Sequence, residues 1–307
     1  MADLAGMVLC AGLGTRLRPL TEVVPKPAVP VCGVPLVRWN LALLAGAGAS
    51  RAVVNVHHLP RAMAAAAVEA AAAAGLPLAV SKEPVIAGTG GALREARALL
   101  AGAGEIVLVN GDVLFDVDLA AALAAHRRSG ALATMVLLPM PPGARYATVD
   151  VDGGGRVRRI AGRFGPGGDG LVPWHFSGVH VLDAAILDHV PHEPFECDVN
   201  RHVYPPLMER GLVRGLVASG YWNDLGTPRR YLAANLDVLA GRVPRDRFPG
   251  VEPARAGPGT VVEPGAAVAA DAVLGAGCLV PAGASVRRAV LWDGTALSPG
   301  EVVEDAI

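Results

Sequence analysis

Residues 7–31 read MVLCAGLGTRLRPLTEVVPKPAVPV. An apolar run breaks at Gly12 and Gly14, passes Arg16 and Arg18, and reaches Lys26 held between Pro25 and Pro27. A strand that ends in a glycine-bearing loop lets backbone N–H groups approach an anion closely. In α/β sheets such sites lie beyond the carboxyl ends of the strands. The prolines stiffen the loop and remove two N–H donors, so Lys26 projects from a fixed base. The stretch does not match GxxxxGK[ST], and Leu17 stands where GxGxxG needs its third glycine, so neither of those phosphate-binding patterns applies.

Outward from this stretch the first half of the chain alternates. Apolar runs at 4–9, 51–58, 76–82, 105–112 and 131–139 read as strands, and Ala-rich segments at roughly 34–46, 61–74, 90–101 and 118–129 read as helices. Apolar strands alternating with helices predict a mostly parallel, doubly wound α/β sheet covered on both faces. Asp118 is placed to cap a helix that ends in basic residues at Gly130. From residue 146 the pattern changes to two strands around an Asp-Gly turn, then a strand at 176–183. Thr227 and Pro228 form a helix start, with Gly241 as its stop.

The chain has 307 residues, 52% hydrophobic and 18% charged, enough for one large domain and a smaller one. A formal net charge of −1 gives no bulk attraction to nucleic acid or to an anionic membrane. No apolar run reaches the ~18 residues of a membrane span, and the first residues lack the basic region of a secretory signal. Cys10, Cys32, Cys197 and Cys278 are scattered without metal-ligand spacing, which leads us to expect reduced thiols and a cytoplasmic location. Of the 27 basic residues only Lys26 and Lys82 are lysines, so a compact ammonium at position 26 stands out.

Residues 242–258 are rich in Pro, Arg and Gly and read as a linker between a first domain, 1–241, and a tail, 259–307. In the tail Val262, Val268, Leu274, Val280, Val286 and Trp292 recur every six residues, and Ala266, Ala272, Cys278, Ala284, Val290 and Ala296 follow each by four. One aliphatic residue per corner with a small residue beside it is the pattern of a short left-handed β-helix. Two coils bury little alone, so the tail is expected to pack on the first domain or to join subunits of a homo-oligomer.

With the motifs in view, LCAGLGTRLRPLTEVVPKPAVPVCGVPLV (9–37) resembles the signature of the sugar nucleotidyltransferases, the nucleoside-diphosphate-sugar pyrophosphorylases. EPVIAGTGGAL (83–93), VLVNGDVLFDVDL (107–119), FSGVHVLD (176–183) and GYWNDLGTP (220–228) are similar to further segments of that family, in the same order. The resemblance covers nearly the whole chain and is nearest to the mannose-1-phosphate guanylyltransferase-like and uridylyltransferase-like branches. It implies a Rossmann-like nucleotidyltransferase domain whose partners are a nucleoside triphosphate and a sugar 1-phosphate. The favoured pair is GTP with mannose 1-phosphate. The alternatives are UTP or dTTP with a hexose or hexosamine 1-phosphate, or a binding homologue that has lost turnover.

The resemblance also implies roles. Arg16 neutralises the pyrophosphate portion, and Lys26 binds phosphate oxygens near the reacting centre. Ala11, Gly12, Gly14 and Thr15 approach the nucleotide, and Gly88 lies against the base. Asp112 and Asp224 hold Mg²⁺; read alone, each would be a turn aspartate. Tyr146, Phe176 and Gly178 match the sugar pocket. Gly162 stands where the family commonly has a glutamate, so a hydroxyl acceptor is missing, and Arg163 stands in place of a lysine on the phosphate. Two polyanions must meet in such a reaction, and like charges ~4 Å apart cost about 4 kcal/mol per pair at an effective dielectric near 20. Fixed cations on a stiff loop answer that cost.

Overall fold

The computed structural model describes residues 3–307. Strands β1 (Leu4–Leu9), β2 (Arg51–Val56), β3 (Leu78–Lys82) and β4 (Glu105–Asn110) form a parallel block in the order β3–β2–β1–β4. Helices α1 (Leu36–Gly46), α2 (Pro60–Ala73) and α3 (Gly88–Glu95) connect these strands, and α4 (Leu119–Ser129) follows β4. The chain winds outward from β1 to β3 and then returns to the other side of β1. The winding direction therefore reverses between β1 and β4, where the crevice past the strand ends accepts a ligand.

Alternation along each strand makes the two cores. Leu4 and Val8 of β1, with Val107 and Val109 of β4, face one core; Ala5 and Met7, with Ile106 and Leu108, face the other. Period-2 strands buried on both faces need helices on both faces. Asp118 caps α4 by accepting from the Ala121 N–H at 2.9 Å, and Gly130 ends it in the left-handed region, as the sequence predicts.

The second half adds antiparallel ladders. Its strands are β5 (Ala133–Leu138), β6 (Thr148–Val151), β7 (Val157–Ile160), β8 (Val172–Asp183) and β9 (Val213–Val217). Strand β8 runs antiparallel to β4, β5 and β6; β7 is antiparallel to β6, and β9 is parallel to β5. β8 is longer than the predicted 176–183 because its first half pairs with β6. It bulges between Phe176 and His180, where Gly178 takes φ +91° and its Cα faces the Asn110 side chain. Helix α5 (Tyr204–Glu209) packs in the core on one side, and α6 (Pro228–Leu239) in the core on the other. Thr227 caps α6 with Pro228 at its first position, as predicted.

Residues 242–258 lie along the domain: Val243, Phe248 and Val251 are buried, and the Phe248 ring sits edge-on to Trp39 at 5.1 Å. In the tail, short parallel strands stack on three faces. Val261–Val262 pairs with Leu279–Val280, and Ala267–Val268 with Ser285–Val286, both eighteen residues on. The next pairing corrects the expected period. Leu274 is opposite Leu291, seventeen residues on, because the chain drops one residue around Arg288, which has φ +46°. Leu291, Leu297 and Val303 therefore continue the interior, with Ala289 as the small residue, instead of Trp292, Val290 and Ala296. Val290 and Trp292 are released from that role and pack with Val273 on the first domain. Val262 is exposed, since no coil precedes it.

The Trp292 Nε1–H donates to the Tyr231 hydroxyl of α6 at 3.0 Å, and that hydroxyl donates to the Pro30 carbonyl at 2.5 Å. Asn235 of α6 is fully buried and accepts from the Cys32 N–H at 2.7 Å. The tail, α6 and the loop after Lys26 thus form one packed unit.

One buried group makes stability depend on pH. His180 of β8 pairs with the Tyr204 hydroxyl at 2.7 Å, and burial pushes its pKa down from 6.5 to about 3. The folded chain holds it neutral while the unfolded chain protonates it near 6.5. Its contribution is therefore intact above that pH and declines as pH falls toward the folded value. At pH 5 the loss from this residue is about 2 kcal/mol. Denaturant unfolding at pH 7 and pH 5 checks this: His180→Gln should shrink the difference between the two curves, and an unchanged difference refutes the assignment.

Candidate functional site

A cavity of about 330 Å³ opens at the carboxyl ends of β1 and β4. Ala11, Gly12, Gly14, Thr15, Arg16, Lys26, Gly88 and Asp112 line it, with Asn55, Glu83, Thr89 and Asn110. The predicted nucleotide-side residues are thus gathered in one place. Gly14 has φ +63°, and its Thr21 partner donates Oγ1–H to the Gly14 carbonyl at 2.9 Å, which sets the loop's turn. Gly111 lets the ends of β1 and β4 meet, because a Cβ there would lie 2.6 Å from the Leu9 carbonyl. That contact places Asp112 at the cavity mouth. At Gly88 an added Cβ would sit 2.6 Å from the Cys197 carbonyl oxygen, so the neighbouring backbone requires glycine there as well.

Lys26 is only 5% exposed. Its ammonium donates to Asp112 Oδ2 and to the main-chain oxygen of Asp224, each at 2.8 Å. A buried ammonium needs such partners, since desolvation without them is costly. Asp112 remains 40% exposed at the side chain and faces the cavity. Arg16 is exposed on the rim.

Asp224 sits after the strand Trp222–Asn223, which pairs with Leu114–Phe115 and so carries this segment beside Asp112. Its Oδ1 accepts from Arg230 Nη1 at 2.6 Å and from the Gly226 N–H at 3.2 Å; its Oδ2 accepts from the Tyr146 hydroxyl at 3.3 Å. Burial works against its charge, but the Arg230 guanidinium overcomes this and holds the carboxyl below the usual aspartate range. Arg230 also bonds the Tyr146 hydroxyl and lies over its ring, 5.2 Å from the centroid. Tyr146 is walled by His175 and Trp222, at 4.5 and 5.3 Å between centroids.

The expected sugar-side residues are dispersed. Tyr146 joins the Asp224 cluster. Phe176 lines a second cavity of about 410 Å³ with Thr148, Ala161, Phe164, Asp198 and Arg201. Gly178 is buried in the β8 bulge. Gly162 and Arg163 are exposed in a turn, and the Arg163 guanidinium lies over the Phe164 ring at 5.3 Å.

Sequence reading missed three features. Arg230 is a cation in the first turn of α6, where the helix dipole disfavours positive charge; that mismatch was the available signal. Arg201 lies on the rim of the second cavity and carried no local signal. The third is a buried chain beneath the first cavity. The Cys10 N–H donates to Asn55 Oδ1 at 2.7 Å, and Asn55 Nδ2 donates to Glu83 Oε1 at 2.7 Å. Glu83 Oε2 accepts from the Ala87 N–H at 3.0 Å, which ties the Gly88 segment to the glycine loop.

A switch-point cavity lined by a glycine loop, a buried ammonium and an aspartate is the arrangement with which α/β folds receive anionic ligands. The chain belongs to the nucleotidyl transferase family, whose model matches residues 5–241. It is 31% identical to a mannose-1-phosphate guanylyltransferase of Mycobacterium tuberculosis over 97% of this chain and 82% of that protein. It is 26% identical to a UTP–glucose-1-phosphate uridylyltransferase of Synechocystis over 98% of this chain and 86% of that protein. A Bacillus anthracis crystal structure described as a glucose-1-phosphate thymidylyltransferase with sucrose superposes with a TM-score of 0.66. It covers 76% of this chain and 94% of that one at 17% identity, a likeness of fold.

The ammonium is the testable centre. Lys26→Met keeps the length and removes the charge, so nucleotidyl transfer should fall on the order of 10²- to 10³-fold, as when a fixed charge-stabilising donor is lost. Lys26→Arg should not restore it, because the slot between Asp112 and Asp224 accepts a point charge and not a planar fork. Steady-state rates, with circular dichroism to confirm folding, check both; near-normal turnover in Lys26→Met contradicts the role.

Proposed function

We propose that the protein transfers a nucleotidyl group from a nucleoside triphosphate to a sugar 1-phosphate, with GTP and mannose 1-phosphate as the preferred pair. The observation that carries this is Lys26, buried between Asp112 and Asp224 at the switch-point cavity. In the reaction a sugar-phosphate oxygen bonds to the α-phosphorus, the α–β bridging bond breaks, and pyrophosphate leaves. The glycine loop orients the triphosphate, and Arg16 and Lys26 lower the cost of bringing two anions together.

Asp112 and Asp224 fit Mg²⁺, which takes one or two carboxylates with phosphates and waters. Among the described residues no larger cluster of His, Cys, Asp or Glu is gathered, and none is needed for this mode. When bound, the ion would neutralise charge on the leaving pyrophosphate. The Mycobacterium relative supports GTP with mannose 1-phosphate by its name. UTP or dTTP with a hexose 1-phosphate is the second reading, favoured by the Synechocystis relative.

The tail's eighteen-residue coil and aliphatic interior support a short left-handed β-helix. Its uncovered first strand, with Val261 52% exposed, supports a homo-oligomer. No helix among the described residues is long and apolar enough to cross a membrane, and all four cysteines are buried free thiols, which supports a cytoplasmic setting.

Pyrophosphate release across a grid of triphosphates and sugar 1-phosphates tests the reading. GTP with mannose 1-phosphate should be fastest; nucleotide binding without turnover for every pair would make the protein a binding homologue. Asp112→Asn and Asp224→Asn should each lower turnover by roughly 10²-fold or more, and the double variant should be little worse, since both act through one ion. Additive losses in the same assay would separate the two residues.

A further inference from the structure

Each candidate metal carboxylate already carries a protein cation. Lys26 lies on Asp112 at 2.8 Å, and Arg230 lies on Asp224 at 2.6 Å. The two cations differ in freedom. Lys26 is buried and also bound to a main-chain oxygen. Arg230 is 38% exposed at the side chain and stands in the first turn of α6, against the helix dipole. Among the described residues its guanidinium bonds Asp224 and Tyr146 alone, while its backbone is held by Thr227 and Asn223.

We propose that Arg230 is a resident counter-cation that occupies Asp224 in the nucleotide-free enzyme, so that the divalent ion enters only together with a triphosphate. This rests on the reading of Asp112 and Asp224 as the metal ligands. Two carboxylates and two cations balance without an ion. Adding a divalent cation alone would leave the cluster with two excess positive charges and would set the ion against Arg230 at the same carboxylate. A triphosphate reverses that balance. Its oxygens supply the missing ligands and attract the cations, and Arg230 can turn from Asp224 toward solvent or phosphate through its open side. Tyr146 moves with it, because its hydroxyl bonds both Arg230 and Asp224. Arg230 is thus a positioning residue that couples metal entry to nucleotide entry, and by linkage the coupling acts in both directions.

The probe is Mn²⁺ alone, titrated into the full-length protein and followed by electron paramagnetic resonance, with and without GTP. The wild type should bind Mn²⁺ weakly without nucleotide and much more tightly with it. Arg230→Met should tighten nucleotide-free binding at least tenfold and shrink the GTP effect, and Arg230→Lys should restore weak binding. Should the Met variant fail to fold, Arg230→Gln carries the same expectation. Unchanged or weaker nucleotide-free Mn²⁺ binding in the folded neutral variant overturns the proposal. Asp224→Asn separates this from the metal reading. If it leaves Mn²⁺ binding in the GTP complex unchanged, the ligand assignment itself fails. If it abolishes that binding while Arg230→Met changes nothing without nucleotide, only the counter-cation role fails.

Discussion

The ammonium of Lys26 joins three segments that lie far apart in the chain. Its partners Asp112 and Asp224 are 86 and 198 residues away, and both contacts measure 2.8 Å. A cation so little exposed persists only if its partners are fixed before any ligand arrives. The rest of the fold supplies that fixity. The glycine at 111 lets β1 and β4 end side by side, the short ribbon from Leu114 and Trp222 carries Asp224 across, and prolines hold the lysine's own loop. Loosening any one of these exposes a charge that the protein has otherwise satisfied, so the site and the core share a common source of stability.

The parts legible in the sequence were those governed by local rules. Alternating apolar runs marked the strands of the parallel block, and the caps Asp118 and Thr227 marked helix starts correctly because their hydrogen bonds span only three residues. The glycine loop and Lys26 were legible for the same reason. What stayed hidden depended on contacts across the chain. The extension of β8 back to Val172 exists because β6 offers it a partner. Arg230 gains its meaning from Asp224 and Tyr146, which only folding brings together. The Asn55–Glu83 chain is likewise invisible to spacing, since Asn55 lies in one strand and Glu83 just past the end of its neighbour. Of the tail's six-residue series, Val268, Leu274, Val280 and Val286 share one cluster, Val262 is exposed, and the series breaks at Arg288, where one positive-φ residue removed a step.

Helix α6 stands between the tail and the chemistry. Its first turn presents Arg230 to Asp224, while Tyr231 and Asn235 on its buried side hold Trp292, Pro30 and Cys32. Neighbouring residues on one helix therefore reach Asp224 and the tail. The tail packs on the helix that carries Arg230, and among the described residues it contributes no side chain to the cavity.

The one-residue slip at Arg288 also divides the tail into two unequal segments. Before it, coils repeat by eighteen residues and end at an uncovered first strand. After it, the repeat is seventeen, and the side chains released from the interior, Val290 and Trp292, become the key that fits the first domain. Docking therefore hangs on the one dropped residue: restoring it would return Val290 and Trp292 to the interior phase and take the tail from its seat on α6.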